Sequence, residues 1–315
     1  MIELPITKYR FTLRPKEKLL FPSEDYGGKT AALRGALGYG LKGLLCPDVR
    51  LLCPRCELRN QCLYPKIFTL GPDNHPGKLS RNQDLPRPFL IRPFLDGRRE
   101  YTSHSPFVFD LFLFGFAVQH LDYVFIAFKN LEAQGIGIGR GQFRLERIES
   151  VGLQGQVLNV VHDGSKYLKP LTSEFDVSIP DTGTSLLAMR FLTPVTIKAE
   201  GRILEKPRFH HLVKRLRDRI SSLIQFYTDL TIDWDFKEIG LFAERIEEVE
   251  NSLRWINRFR RAGHSRETHD LGGAVGRLVV RGEALKNLFP LLWLGQYTGI
   301  GKNAVFGNGW YELET

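Results

Sequence analysis

Four cysteines, Cys46, Cys53, Cys56 and Cys62, stand within seventeen residues in the spacing C-x6-C-P-R-C-x5-C. In a reducing compartment, clustered thiols point to metal rather than to disulfides. Cys53-Pro54-Arg55-Cys56 has the two-residue spacing of a zinc knuckle, and four thiolates fill a closed tetrahedral zinc site. An iron–sulfur cluster accepts the same four ligands, and four reduced thiols in a loop is the plainer alternative. We expect a bound metal with a structural role. The stretch around the cysteines is poor in core residues and needs a staple, and four protein ligands leave no position for a reacting water.

A second set of chemically suggestive residues lies in the run Leu291 to Leu313. An apolar, helix-like stretch ends at Gly295, followed by Gly299, Gly301, Gly307 and Gly309 interleaved with Lys302, Asn303 and Asn308. Glycines this dense are kept for unusual dihedrals or close backbone approach. Exposed N–H groups of such a loop can cradle phosphate oxygens, and Lys302 adds a mobile positive charge. The expectation is a polyanion-binding loop. It is not a P-loop, which needs Gly at Gln296 and Ser or Thr at Asn303. Nor is Gly299-Ile300-Gly301 a dinucleotide fingerprint, because this loop follows a helix and opens a strand.

The third set is Arg254-Trp255-Ile256-Asn257-Arg258-Phe259-Arg260-Arg261, which interleaves aromatics with arginines. Aromatic rings stack unpaired bases while arginines hold phosphates. The alternative places Trp255 and Phe259 in the core with the arginines solvated. Charge favours the first: 44 Lys+Arg against 35 Asp+Glu gives +9, which suits a nucleic-acid or membrane-surface partner. No apolar run approaches the ~18 residues of a membrane span, and the opening residues lack the apolar core of a signal peptide. The expected location is cytoplasmic.

These residues need elements to hold them. Tyr9 to Leu13 alternates like a half-buried strand. Lys29 to Leu45 places Leu33, Leu37, Leu41 and Leu44 at helical spacing, with Gly35, Gly38, Gly40 and Gly43 implying a close neighbour on one face. Residues 46–100, rich in proline, read as an insertion. Phe107 to Phe114 reads as a buried strand, then a helix runs to about Gln134 and into Gly135-Ile136-Gly137-Ile138-Gly139-Arg140-Gly141 and a further strand.

The second half repeats this order. Leu187 to Ile197 is a strand, and Phe209 to Tyr227 a helix whose Arg215, Arg217 and Arg219 decorate solvated faces. Strands near Leu253 to Arg260 and Val275 to Val280 precede the helix Ala284 to Leu294 and the last loop. A helix is also expected at Lys237 to Glu250. Each half therefore reads β-α-β-β-α-β. The fold class is α+β, two tandem ferredoxin-like (RRM-like) domains over 1–180 and 181–315, with the Cys-rich, metal-binding insertion in the first.

Two such halves, a glycine-rich loop before each last strand, and the run Thr298 to Gly309 resemble the RAMP superfamily. Within it the chain is most similar to CRISPR-associated endoribonucleases that process precursor CRISPR RNA. Leu33-Arg34-Gly35-Ala36-Leu37-Gly38, the cysteine cluster and Leu271-Gly272-Gly273 support the resemblance, which covers nearly the whole chain. It implies CRISPR repeat RNA as partner. It also implies cleavage without metal by attack of a 2′-hydroxyl on the adjacent phosphate, leaving a 2′,3′-cyclic phosphate and a 5′-hydroxyl. A monomer or homodimer is expected. The alternative is a noncatalytic RNA-binding subunit of a CRISPR effector complex.

The related enzymes often carry a histidine in or near the first helix, and this helix holds none. Tyr39 and Lys42, three apart on one face, take its place as first candidates. His264 and His269, among Arg258, Arg260, Arg261 and Arg266, are the candidate proton carriers of the second half. His120, His162, His210 and His211 read as packing or surface residues. The RNA-binding candidates are Gly299, Gly301, Lys302, Asn303, Gly307, Gly309, Arg140, Arg254, Arg258, Arg260 and Arg261.

Overall fold

The computed structural model describes residues 2–68, 85–168, 179–180, 183–261 and 268–314. It divides into two compact units, one of residues 5–177 with 226–228, the other of residues 1–4, 178–225 and 229–315.

In the N-terminal unit, β1 (Ile6–Pro15) buries Tyr9, Phe11 and Leu13 and turns the residues between them to the other face, the period of two that a pleated strand imposes. Helix α1 (Tyr26–Leu45) is capped by Asp25, whose carboxylate accepts the Gly28 N–H at 3.1 Å. Then follow β2 (Phe89–Pro93), β3 (Phe107–Phe114), α2 (Leu121–Gln134), β4 (Phe143–Val151) and β5 (Val157–His162). The sheet runs β2-β3-β1-β4-β5, all neighbours antiparallel. Its first four strands have the order of a β-α-β-β-α-β unit, and β5 extends it. Phe11 stacks on Phe109 at 5.0 Å and meets Phe128 of α2 at 5.2 Å, which fastens helix to sheet.

Two local readings change here. β2 lies inside the stretch taken as an insertion, yet it pairs along β3 from Phe89↔Leu113 to Pro93↔Phe109. All five of its residues are buried, so it lacks the alternation that marks a strand. The close neighbour expected along α1 is met at two glycines only. A Cβ at Gly40 would stand 3.2 Å from the Ala127 carbonyl and one at Gly38 3.0 Å from the Phe68 ring, whereas at Gly35 and Gly43 it would meet nothing within 4 Å among the described residues.

The C-terminal unit repeats the plan. Its elements are β6 (Leu186–Val195), α3 (Phe209–Tyr227), α4 (Phe236–Glu244), β7 (Glu247–Asn251), β8 (Arg254–Ile256), β9 (Phe259–Arg261), β10 (Thr268–Asp270), β11 (Gly273–Arg281), α5 (Leu285–Thr298) and β12 (Tyr311–Glu314). The sheet order is β7-β11-β6-β12, with β8 also pairing β11. Helix α3 buries Leu212, Val213, Leu216, Ile220 and Leu223 completely, each contributing about 1.5–3 kcal/mol.

Three expectations are corrected. The helix expected over Lys237 to Glu250 stops at Glu244, because Glu247–Asn251 pairs with β11 and Glu248 accepts the first N–H of α3 at 2.8 Å. The strand expected at Leu253 to Arg260 is two short ones, since β9 leaves the sheet to pair with β10. Helix α5 does not end at Gly295 but runs through it to Thr298. Gly295 is there because a Cβ would meet the Tyr311 hydroxyl at 2.1 Å, and that hydroxyl donates to the Leu292 carbonyl at 2.6 Å.

Candidate nucleic-acid interface

The two glycine-rich loops are one device used twice. In the C-terminal unit, Gly299 caps α5 with φ +69 and gives its N–H to the Gly295 carbonyl, and Ile300 N–H donates to the Gly309 carbonyl at 3.0 Å. Lys302 N–H then donates to the Thr196 carbonyl at 3.0 Å. In the N-terminal unit, Gly135 caps α2 with φ +75 and donates to the Leu131 carbonyl, Ile136 N–H donates to the Gly141 carbonyl at 3.0 Å, and Ile138 N–H to the Leu20 carbonyl at 2.7 Å. Gly135-Ile136-Gly137-Ile138 thus matches Gly299-Ile300-Gly301-Lys302 bond for bond.

The glycines serve that closure. A Cβ at Gly301 (φ +78) would stand 2.5 Å from the Thr196 carbonyl, and one at Gly309 (φ +73) 1.8 Å from the Ile300 carbonyl. Phe306, Gly307, Asn308 and Gly309 also give their N–H groups to carbonyls within the fold. These amides are engaged, and Lys302, exposed beside them, is the loop's charged donor.

The hairpin β9–β10 is tied to the same loop. Asn303 Nδ2 donates to the Asp270 carbonyl at 3.2 Å and Asn308 Nδ2 to the Leu271 carbonyl at 2.9 Å. The Arg260 guanidinium lies over the Phe306 ring, 4.6 Å from its centroid, and burial pulls its pKa below the ordinary arginine value. His269 pairs opposite Arg260 and is exposed. Phe259 is 66% exposed, the placement a stacking ring needs, while Trp255 is half-buried with its indole N–H on Asn257 Oδ1. Arg254 is exposed and Arg258 half-buried. Arg261 ends β9; His264 and Arg266 lie outside the described residues.

In the N-terminal unit, α1 and the loop Gly135 to Gly141 bound an open groove of about 330 Å³, lined by Gly35, Ala36, Tyr39, Gln134, Ile138 and Arg140 among others. Tyr39 is 61% exposed, and Arg140 sits in the left-handed region (φ 53) with its side chain exposed. Lys42 is elsewhere: its ammonium donates to the Leu51 carbonyl at 3.1 Å, tying α1 to the chain that follows it. Tyr39 and Arg140, two candidates far apart in sequence, thus line one groove, and Lys42 is not among its lining residues.

Residues 4–173 match the AF_1859_N family model, described as an N-terminal domain. Residues 189–311, which contain the loop and both hairpin strands, match the model of the CRISPR-associated endoribonuclease Cas6. The C-terminal part of the chain is a Cas6 CRISPR-associated endoribonuclease domain. An uncharacterized protein of Archaeoglobus fulgidus is 24% identical over 313 residues, spanning 96% of this chain and 97% of that one. Among solved structures, a Cas6 product complex has a TM-score of 0.57 at 16% identity, covering 98% of this chain and 99% of that one. Thermus thermophilus Cas6 has a TM-score of 0.52 at 17% identity, covering 99% of each chain. At such identities the likeness establishes the fold.

His120, His162, His210 and His211 serve packing, His104 is exposed, and His75 lies outside the described residues. His162 is buried, with Nδ1 2.7 Å from the Lys166 carbonyl and Nε2 3.2 Å from that of Leu145. His120 packs edge-on against Phe116 and Tyr123, and burial lowers its pKa. His210 and His211 face each other at the start of α3, Nε2 to Nε2 3.1 Å, and burial lowers both pKa values. The cysteines are free and half-buried. Cys53 and Cys56 share one turn, the Cys56 N–H donating to the Cys53 carbonyl at 3.1 Å, and Cys46 Sγ donates to the Asp48 carbonyl. Among the described residues, no three His, Cys, Asp or Glu side chains gather into a group that could hold a metal. None of the described helices is long and apolar enough to cross a membrane.

Sequence reading could not have found the carbonyls of Leu20, Pro194 and Thr196 that hold the two loops. A backbone carbonyl leaves no residue-type signal, and Thr196 lies more than 100 residues before Lys302 in sequence.

Proposed function

We propose that this chain, whose C-terminal part is a Cas6 domain, cuts precursor CRISPR RNA within its repeats, by attack of the 2′-hydroxyl on the adjacent phosphate. The products are a 2′,3′-cyclic phosphate and a 5′-hydroxyl. The observation that carries this reading is the Tyr39–Arg140 groove beside the first glycine loop, together with Lys302 on the matching second loop. Side chains suffice for the step. A base removes the 2′-proton, a cation holds the phosphorane, and an acid protonates the leaving 5′-oxygen. Tyr39 is the proton-transfer candidate in the groove and Arg140 the cation that would hold the phosphorane. Lys42, His264 and His269 are the further candidates for these roles. Relatives seen as product and substrate-mimic complexes give the reading its precedent.

Lys302→Ala should weaken RNA binding and reduce its salt dependence by about one phosphate contact, roughly 0.7 in the slope for single-stranded RNA. Titration against repeat RNA at several salt concentrations measures it. An unchanged slope would mean that the ammonium does not meet the backbone.

A structural zinc belongs to the same reading. The four thiolates have the donor chemistry zinc takes, and Cys53 and Cys56 already share a turn. Protein purified without added metal should carry about one equivalent of zinc by elemental analysis. No metal, with all four thiols reacting freely in the native protein, would contradict it.

A further inference from the structure

The glycines of α1 are of two kinds. Gly38 and Gly40 answer to contacts inside the fold, the Phe68 ring and the Ala127 carbonyl. Gly35 does not: a Cβ there would meet nothing within 4 Å among the described residues. Glycine nevertheless weakens a helix at such a position relative to alanine. Gly35 lines the groove between α1 and the first glycine loop. The floor of this groove is apolar, made by Ala36 of α1 with the buried Leu131 and Ile136. Its mouth carries the exposed Tyr39 ring and the exposed Arg140 side chain. Two lining groups that can form hydrogen bonds, the Gln134 side-chain amide and the Gly137 N–H, take no partner among the described residues.

We propose that this groove takes one unstacked nucleobase, that of the nucleotide whose 2′-hydroxyl attacks. The proposal rests on the RNA-processing reading above and assigns the interior of the groove, which that reading does not use. A phosphate does not settle on an apolar floor, because its charge would lose water and gain no partner. A base does, since its faces are apolar and its edge carries donors and acceptors together. The Gln134 amide can give one hydrogen bond and accept another, which matches such an edge. The volume of about 330 Å³ is near the low end for ligand sites, ~300–1,000 Å³, and suits one nucleoside rather than a base pair. A base seated there leaves its ribose and phosphate at the mouth, beside the Tyr39 hydroxyl and Arg140. Unstacking also serves the chemistry. In a stacked strand the 2′-oxygen stands beside the leaving 5′-oxygen, and turning the base out frees the ribose to reach the in-line arrangement. Gly35 lets the ring lie close against the helix backbone.

The test combines a filled groove with a missing base. Gly35→Leu puts a side chain where the base would lie and, as a better helix former, should melt with the wild type or slightly above it. Its kcat/KM for repeat RNA should fall by about 10-fold or more, the loss of one base–aromatic stack. Repeat RNA made abasic, with its ribose intact, at the nucleotide that ends in the cyclic phosphate should be cut by the wild type with a similar fall. Gly35→Leu should cut that abasic RNA no more slowly than the intact RNA, because both changes remove the same contact. A wild type that tolerates the abasic nucleotide, a folded Gly35→Leu protein that cuts at the wild-type rate, or two losses that add would each overturn the base site while leaving RNA processing intact. If the wild type cuts no repeat RNA, the processing reading falls and the base site with it. Should Gly35→Leu lower the melt, the abasic comparison on the wild type alone decides.

Discussion

Gly309→Ala should be the most damaging substitution of one small residue in the C-terminal unit. The added Cβ would lie 1.8 Å from the Ile300 carbonyl, at a backbone conformation (φ +73) that L side chains avoid. Relief requires movement of a segment fixed at both ends, by Ile300 N–H on the Gly309 carbonyl and Gly309 N–H on the Pro194 carbonyl at 2.8 Å. Strain of about 1–3 kcal/mol and the loss of two hydrogen bonds at about 1 kcal/mol each give roughly 3–5 kcal/mol. A thermal melt should fall by about 10 °C or more, and RNA affinity should fall with it because Lys302 is displaced. Gly301→Val should act the same way through the Thr196 carbonyl. A Gly309→Ala protein melting with the wild type would mean that the loop is not closed as described.

Tyr39→Phe should lower the single-turnover cleavage rate at saturating RNA by about 10²–10⁴-fold, the usual cost of losing a positioned acid or base. Affinity should change little, since the ring that lines the groove remains. Tyr39→Ala should lose both rate and affinity. A Phe variant that cleaves at the wild-type rate would leave Tyr39 as a stacking surface and move proton transfer to a histidine, with His269 the first to be replaced.

Much of this was legible in the residues. The alternation of Tyr9, Phe11 and Leu13 gives β1, the apolar stripe of α3 gives its buried face, and Gly-Ile-Gly written twice gives the repeat. The failures share one cause, which is tertiary pairing that the local pattern does not encode. Phe89–Pro93 carries no alternation because every residue in it is buried. Glu247–Asn251 reads as helix until β11 takes it as a partner. Lys42 looked like the partner of Tyr39 because the two share a helix face, but the chain beyond Cys46 brings the Leu51 carbonyl to its ammonium. Arg140 takes its place in the groove because the loop that closes α2 returns to α1. Arg215 and Arg219 looked solvated because their anchors, the Lys198 and Thr298 carbonyls, are backbone groups that no residue pattern announces.

The central claim is the reaction, and its products decide it. Repeat RNA incubated with the protein in excess EDTA should be cut at one position within the repeat. The upstream fragment should end in a 2′,3′-cyclic phosphate and the downstream fragment should begin with a 5′-hydroxyl. Cleavage that leaves a 3′-hydroxyl and a 5′-phosphate would contradict the account.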